Sequence, residues 1–489
     1  MSDTVHPLCQ HPAPRSRREF LAQGLLSSAA YFLAPSLLTA VLGQRSALAA
    51  SGQVTNALSP QSGMLPFLTI DCAGGAALPA SFLVGDAGGN ILSPASAAYS
   101  MLGFNPNDVT LQRDFGVPMA GPSRANPSRG NVSRILEGLM QKASPQALAG
   151  LSMGVICTQT GDDQPHNLTN ASHLVGQAGL RGRLIQTIGT DPTTHGGWSR
   201  GPFIPTLTPL AVGSAFDLMS ALSYGPGLAN LTPEQVIAMA KATESLSQVQ
   251  AARFNSMALG EQFKTLTQTA LHANVDLARP QTGIDPREDP ATRAVYGLPV
   301  PSDPNFDPTT REARYATIVK NVLDGNCGPG TLAVGGCDYH NATEDLGAQI
   351  DLIVGKTLGE IVELAYRKGQ PCVIAMITDG GCTPLAGTRT WITDGGSKSL
   401  AVFGLYQPGG RVRLARTQLG FYSASSSGGS EMDAAADSTT LVGQSTENVA
   451  RAIFINYMAA CGKLGEVQQT IGNSFTPQQI QNDLLMLPA

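Results

Sequence analysis

Pro371-Cys372-Val373-Ile374-Ala375-Met376-Ile377-Thr378, closed by Asp379-Gly380-Gly381, is an apolar run of strand length that ends at an acidic glycine turn. A strand that is apolar at successive rather than alternate positions has both faces buried. That pattern belongs to the interior of a parallel sheet covered by helices on each side. Just upstream, Leu346, Ile350, Ile353, Leu358, Ile361 and Leu364 fall on or near one stripe of a helix spanning 344–368. Before it, 317–323 reads as a helix. Residues 331–334 read as a strand running into Gly335-Gly336-Cys337-Asp338-Tyr339-His340, and 400–405 as a further strand. Such alternation predicts an α/β fold with a mostly parallel central sheet flanked by helices.

The N-terminal half extends the pattern. Pro66-Phe67-Leu68-Thr69-Ile70-Asp71 is a buried-strand candidate closed by Gly74-Gly75, and Leu151-Ser152-Met153-Gly154-Val155-Ile156-Cys157 is a second, entering a polar loop over 158–170. Residues 232–277 carry helical spacing. Thr232-Pro233-Glu234 supplies a cap, a first-turn proline and an acid, so a pair of inserted helices is expected there. The Pro-rich segment 279–308 reads as a surface connection. The Gly/Ser run from Ser423 to Ser430 reads as a flexible loop rather than a phosphate cradle, because no strand-to-helix context surrounds it. The expected organisation is a flexible lead-in over 50–65 and one α/β domain over 66–489. No internal repeat is visible.

Residues 1–49 stand apart. Ser16-Arg17-Arg18-Glu19-Phe20-Leu21 precedes a moderately apolar stretch, 24–41, and Ala47-Leu48-Ala49 offers a small-residue cleavage site. This resembles a bacterial twin-arginine export signal, which implies a periplasmic or extracellular mature protein. A retained anchor is the other reading, although Pro35 interrupts the run before it reaches spanning length. No later segment is apolar enough to span, so no stable membrane span is expected in the mature chain. Charged residues make up only 14% and the net charge is −5, with no basic tract beyond the signal, which argues against a nucleic-acid partner.

Of eight cysteines, Cys9 lies in the signal, which leaves an odd seven and no C-x-x-C motif. An oxidising envelope favours disulfides. Cys327 and Cys337 bracket Gly328-Pro329-Gly330, and a turn there is expected to bring them together.

In a parallel sheet, ligands bind beyond the carboxyl ends of the strands. Asp71, Asp338 and Asp379 fall at such ends. His340 lies two residues past Asp338, and Asp394 occupies a glycine-flanked loop before a strand. Carboxylates and an imidazole meeting there would suit a divalent metal ion that polarises an ester oxygen and generates a nucleophile. The plainer alternative is that these acids cap helices and turns. His166, His173 and His195 are further cleft candidates, set against ordinary loop hydrogen bonding.

The order of these segments resembles an exported bacterial family of unknown function within the alkaline phosphatase and sulfatase superfamily. The resemblance rests on Thr69–Gly75, on the Asn167–His173 stretch with Ser172-His173, on Arg293-Ala294-Val295-Tyr296-Gly297, on Gly335–His340 and on Asp379-Gly380-Gly381. It implies an alkaline-phosphatase-like fold and a metal-dependent phosphate or sulfate ester hydrolase. The chain departs from the family where a histidine would follow Asp394, since Gly395 stands there. Asp379-Gly380-Gly381-Cys382-Thr383-Pro384 replaces a Phe-Gly-Arg-Thr-Pro-like run, and no Ser or Thr nucleophile follows Asp71. Two expectations remain open: a hydrolase with a degraded metal site, or a non-catalytic envelope or surface binding protein on the same fold.

Overall fold

The computed structural model describes residues 63–82, 84–87, 110–114, 117–121, 133–160, 168–190, 209–222, 231–251, 282–337, 344–378, 380, 383–384, 391–393, 396–425 and 433–488. Contacts divide the chain into two compact units. One comprises Met1–Ala50 and Leu222–Pro280, and its described part is the helix Pro233–Ala251. That helix is capped as expected: Thr232 Oγ1 accepts from Gln235 N–H, and the Gln235 side chain accepts from Thr232 N–H. The rest of the expected pair lies outside the described residues.

The other unit, Ser51–Ala221 with Gln281–Ala489, holds the sheet. Its eight strands are β1 (Phe67–Cys72), β2 (Leu151–Thr160), β3 (Ile188–Thr190), β4 (Leu210–Val212), β5 (Gly330–Val334), β6 (Cys372–Thr378), β7 (Gly396–Tyr406) and β8 (Gln418–Leu419). Their spatial order is β8-β2-β7-β6-β1-β5-β3-β4. Strand β7 runs antiparallel to both its neighbours, and every other pairing is parallel. The expected mostly parallel α/β sheet is therefore present. Every residue of β1 and β6 is buried, as their unbroken apolar composition requires.

The helices that cover the sheet include α1 (Arg134–Lys142), α2 (Ser172–Gln177), α3 (Pro290–Tyr296), α4 (Arg311–Leu323), α5 (Glu344–Lys368) and α6 (Thr446–Ala460). On one face Phe67, Val373, Ala375, Ile377, Phe403 and Leu405 pack against Leu174 and Val175 of α2, Ile453, Phe454 and Tyr457 of α6, and C-terminal Leu484–Leu487. On the other face, α4 approaches so closely that a Cβ on Gly330 would meet Val322 at 2.8 Å. Helix α5 crosses α1 through glycine: a Cβ on Gly355 would lie 2.0 Å from the Ile135 carbonyl oxygen. Only glycine permits that crossing.

Between these helices sits a buried ion network. Glu360, fully buried, meets Lys142 at 2.9 Å and Arg311 at 3.1 Å, while Arg311 also donates to Thr357 Oγ1 at 3.0 Å. The Arg293–Gly297 element is the end of α3, with Gly297 at φ 67 as its left-handed cap. Tyr296 there is buried. Burial first, then the Glu360 charge, raises its phenol well above the usual range.

Three expectations change. Segment 279–308 is not a simple surface connection. It contains α3 and a buried Asp285–Arg287 pair at 2.7 Å, with Arg287 against the rings of Phe216 and Phe306. A guanidinium fork plus two aromatic faces gave that segment a core of its own. The Gly/Ser run begins in a strand, since Tyr422–Ser425 pairs antiparallel with Asp433–Ala436. The third concerns the cysteines. Cys327 and Cys337 are both free thiols. Gly328-Pro329-Gly330 is the entry to β5 rather than a hairpin turn, so the two cysteines flank opposite ends of that strand. Five extended residues at about 3.3 Å each hold them far beyond the 7 Å or so that a disulfide tolerates.

Candidate site at the carboxyl ends of the central strands

Parallel register aligns the carboxyl ends of β6, β1 and β5: Asp71 stands between Ile377 and Ala333, and Cys72 between Thr378 and Val334. Alternation then sends Thr69 and Asp71 to one face and Cys72 to the other. This edge is where open α/β sheets hold their ligands.

On the first face the segment after β2 folds back over the strands. Asn170, fully buried, is its centre. Its Oδ1 accepts from Thr69 Oγ1 at 3.3 Å and from Ser172 N–H at 3.0 Å, while its Nδ2 donates to Thr331 Oγ1 at 3.1 Å. Ser172 Oγ lies 3.4 Å from Thr69 Oγ1, and Thr169 Oγ1 donates to the Thr378 carbonyl at 3.4 Å. His173 is anchored locally, its Nδ1 lying 3.0 Å from the Asn170 carbonyl. Asp71 sits at the end of this lattice with no exposed surface.

On the second face β1 ends in a turn. Gly75 N–H bonds the Cys72 carbonyl at 3.4 Å, and Gly74 and Gly75 take φ values of 99 and 108. Two successive left-handed residues explain the paired glycines, because a side chain is strained there. The Thr378 hydroxyl ties the turn down. It accepts from Ala76 N–H at 2.9 Å and lies 3.1 Å from the Cys72 carbonyl and 2.6 Å from that of Gly380. Cys337 arrives past Gly336, whose φ is 83, and shares a hydrogen bond with Cys72. That bond, then burial, then the charges of Cys72, Asp351 and Asp71, hold the Cys337 thiol protonated well above the usual range.

Three buried polar groups here had no motif to announce them. Asp351 of α5 is 1% exposed and accepts from Ser81 Oγ at 3.4 Å. Lys398 of β7 is 2% exposed. It lies four residues before Val402, whose partner in β6 is Met376, so it stands at the same carboxyl edge, at the bulge where β7 slips register against β2 between Gly396 and Ser399. Asn170 is the third: it lay within the Asn167–His173 stretch, two residues before the helix, but nothing in the sequence singled it out.

Of the expected ligands, Asp71 is described. Asp338, His340, Asp379 and Asp394 lie outside the described residues, as do His166 and His195. Among the described residues no three His, Cys, Asp or Glu side chains are grouped to hold a metal ion. The described edge carries two buried carboxylates, a buried lysine and two buried thiols. No helix among the described residues is long and apolar enough to cross a membrane. No protein-family model matches the chain, and no curated protein does.

Proposed function

We propose that this chain is an exported, alkaline-phosphatase-like protein whose strand-end site descends from that of a metal-dependent ester hydrolase and now serves binding rather than turnover. The observation that carries the reading is Lys398. It is a lysine buried at the carboxyl edge of the sheet, on the same edge as Asp71 and Asp351. In this reading its ammonium group provides at this edge the positive charge that buried carboxylates call for, the role a cation fills in an active ester hydrolase. The missing histidine after Asp394 and the missing hydroxyl nucleophile after Asp71 agree with it.

The purified mature protein tests this. Elemental analysis should find less than one metal ion per chain, and aryl phosphate and aryl sulfate esters should not turn over with zinc, manganese, magnesium or calcium added. Stoichiometric metal together with ester hydrolysis abolished in Asp71→Asn would establish the second reading, a working hydrolase, which the position of Asp71 at a central strand end favours. Export is tested separately. Replacing Arg17 and Arg18 with lysine should leave a longer precursor in the cytoplasm, and normal export of that variant would end the twin-arginine reading.

A further inference from the structure

We propose that Cys72 and Cys337 are a disulfide-forming pair, whose bond ties the carboxyl end of β1 to the turn that follows β5. Three observations place them together. Strands β1 and β5 are parallel neighbours with Cys72 opposite Val334. Cys337 follows Val334 by three residues across Gly335-Gly336, and the left-handed Gly336 turns the chain back toward the sheet. The two thiols share a hydrogen bond, and neither side chain has exposed surface. Neighbouring strands lie about 4.8 Å apart, which sets Val334 beside Cys72, and the Gly335-Gly336 turn brings Cys337 to within hydrogen-bond reach of Cys72, a separation a disulfide can close.

The other described cysteines are engaged elsewhere. Cys157 hydrogen-bonds Tyr422 and Cys461 hydrogen-bonds Tyr457, Cys327 lies at the far end of β5 in a β-bridge with Ile185, and Cys372 opens β6 at its amino end opposite Tyr406. The turn-linked partner suggested for Cys337 by sequence distance is thus replaced by one 265 positions away, brought close by strand pairing.

The oxidant is a disulfide, either a small one such as oxidised glutathione or a thiol–disulfide oxidase of the envelope. One cysteine attacks it as thiolate and releases the first reduced thiol. The second cysteine then attacks the mixed disulfide and releases another. A sulfur–sulfur bond forms in the protein as one breaks in the oxidant, two electrons pass to the oxidant, and the two protons leave on its two thiols. Because both sulfur atoms are buried, reaction in the folded chain waits on local opening at Gly335-Gly336. The same burial shields the finished bond from reductants.

The test uses the full chain, purified reduced, incubated in glutathione buffers of rising oxidised fraction, trapped with N-ethylmaleimide and mapped by mass spectrometry. The expected result is one intramolecular link joining the Cys72 and Cys337 peptides, with Cys157 and Cys372 alkylated only after unfolding. The melting midpoint should rise by on the order of 5 °C, as closure of so long a loop implies. In Cys72→Ser that rise should vanish. The proposal is overturned if another pair links first, or if both thiols still alkylate after prolonged oxidation in mild urea. The wild-type map decides the matter even if Cys72→Ser fails to fold.

Discussion

Two clusters of buried charge in this molecule look alike until their places in the fold are compared. Between α1, α4 and α5, Glu360 is held by Lys142 and Arg311, all three carried on helices rather than on the strands. At the sheet edge, Asp71, Asp351 and Lys398 are each buried, and two thiols and a double-glycine turn stand at the same edge. Both clusters bury carboxylates and both contain cations. The helical one is a structural ion network, and what marks the other as a site is its address at the carboxyl ends of parallel strands. Burial of a charge is therefore poor evidence of function until the topology around it is known.

The comparison breaks first at Glu360. Glu360→Ala removes the fully buried partner shared by Lys142 and Arg311, leaves Arg311 with Glu312 as its remaining acid, and should cost about 3 kcal/mol in urea unfolding. A loss below about 1 kcal/mol would show that the helical network is not the support described. At the sheet edge, Lys398→Met removes the buried cation that the proposed reading sets against the carboxylates of that edge and should cost about 2–3 kcal/mol, unchanged by a metal chelator. If the chelator alone destabilises the wild type to the same degree, a metal ion rather than Lys398 balances the edge. The neutral lattice is a third kind of buried polarity. Asn170→Ala removes three hydrogen bonds and should cost about 2 kcal/mol by thermal unfolding, whereas an effect within error would show the lattice to be ornamental.

The smallest expected effect is on pH dependence. Burial works against ionisation of Glu363, but hydrogen bonds from Ser144 and Arg367 outweigh it and hold the carboxyl below its ordinary value. A depressed carboxyl adds stability above its unfolded value near 4.5, and this is lost as pH falls through the lower folded value. Urea midpoints should therefore decline below pH 5, and Glu363→Gln should flatten that decline. An unchanged slope in the variant would remove Glu363 from the account.

Some of this was legible before folding. The runs at 66–71, 151–157 and 371–378 were readable as strands because burial on both faces leaves no room for polar alternation, and each strand was found where its run lies. The helix over 344–368 was readable from its stripe, although the stripe could not reveal that Gly355 is where α1 crosses it. The short strands β3, β4 and β8, two or three residues each, were not legible. So few residues carry no periodicity, and only their neighbours make them strands.

Local pattern alone determined the class of fold and the edge of the sheet where a site belongs, because periodicity and burial act within a single element. Partnerships were decided only by tertiary structure. Gly328-Pro329-Gly330 looks locally like a turn that pairs Cys327 with Cys337, yet it opens a strand whose extended backbone drives them apart. Cys72 and Cys337 meet, and Lys398 reaches the edge of the sheet that carries Asp71, because strand order and register place distant segments side by side. A contact between residues hundreds of positions apart leaves no trace in the spacing of either.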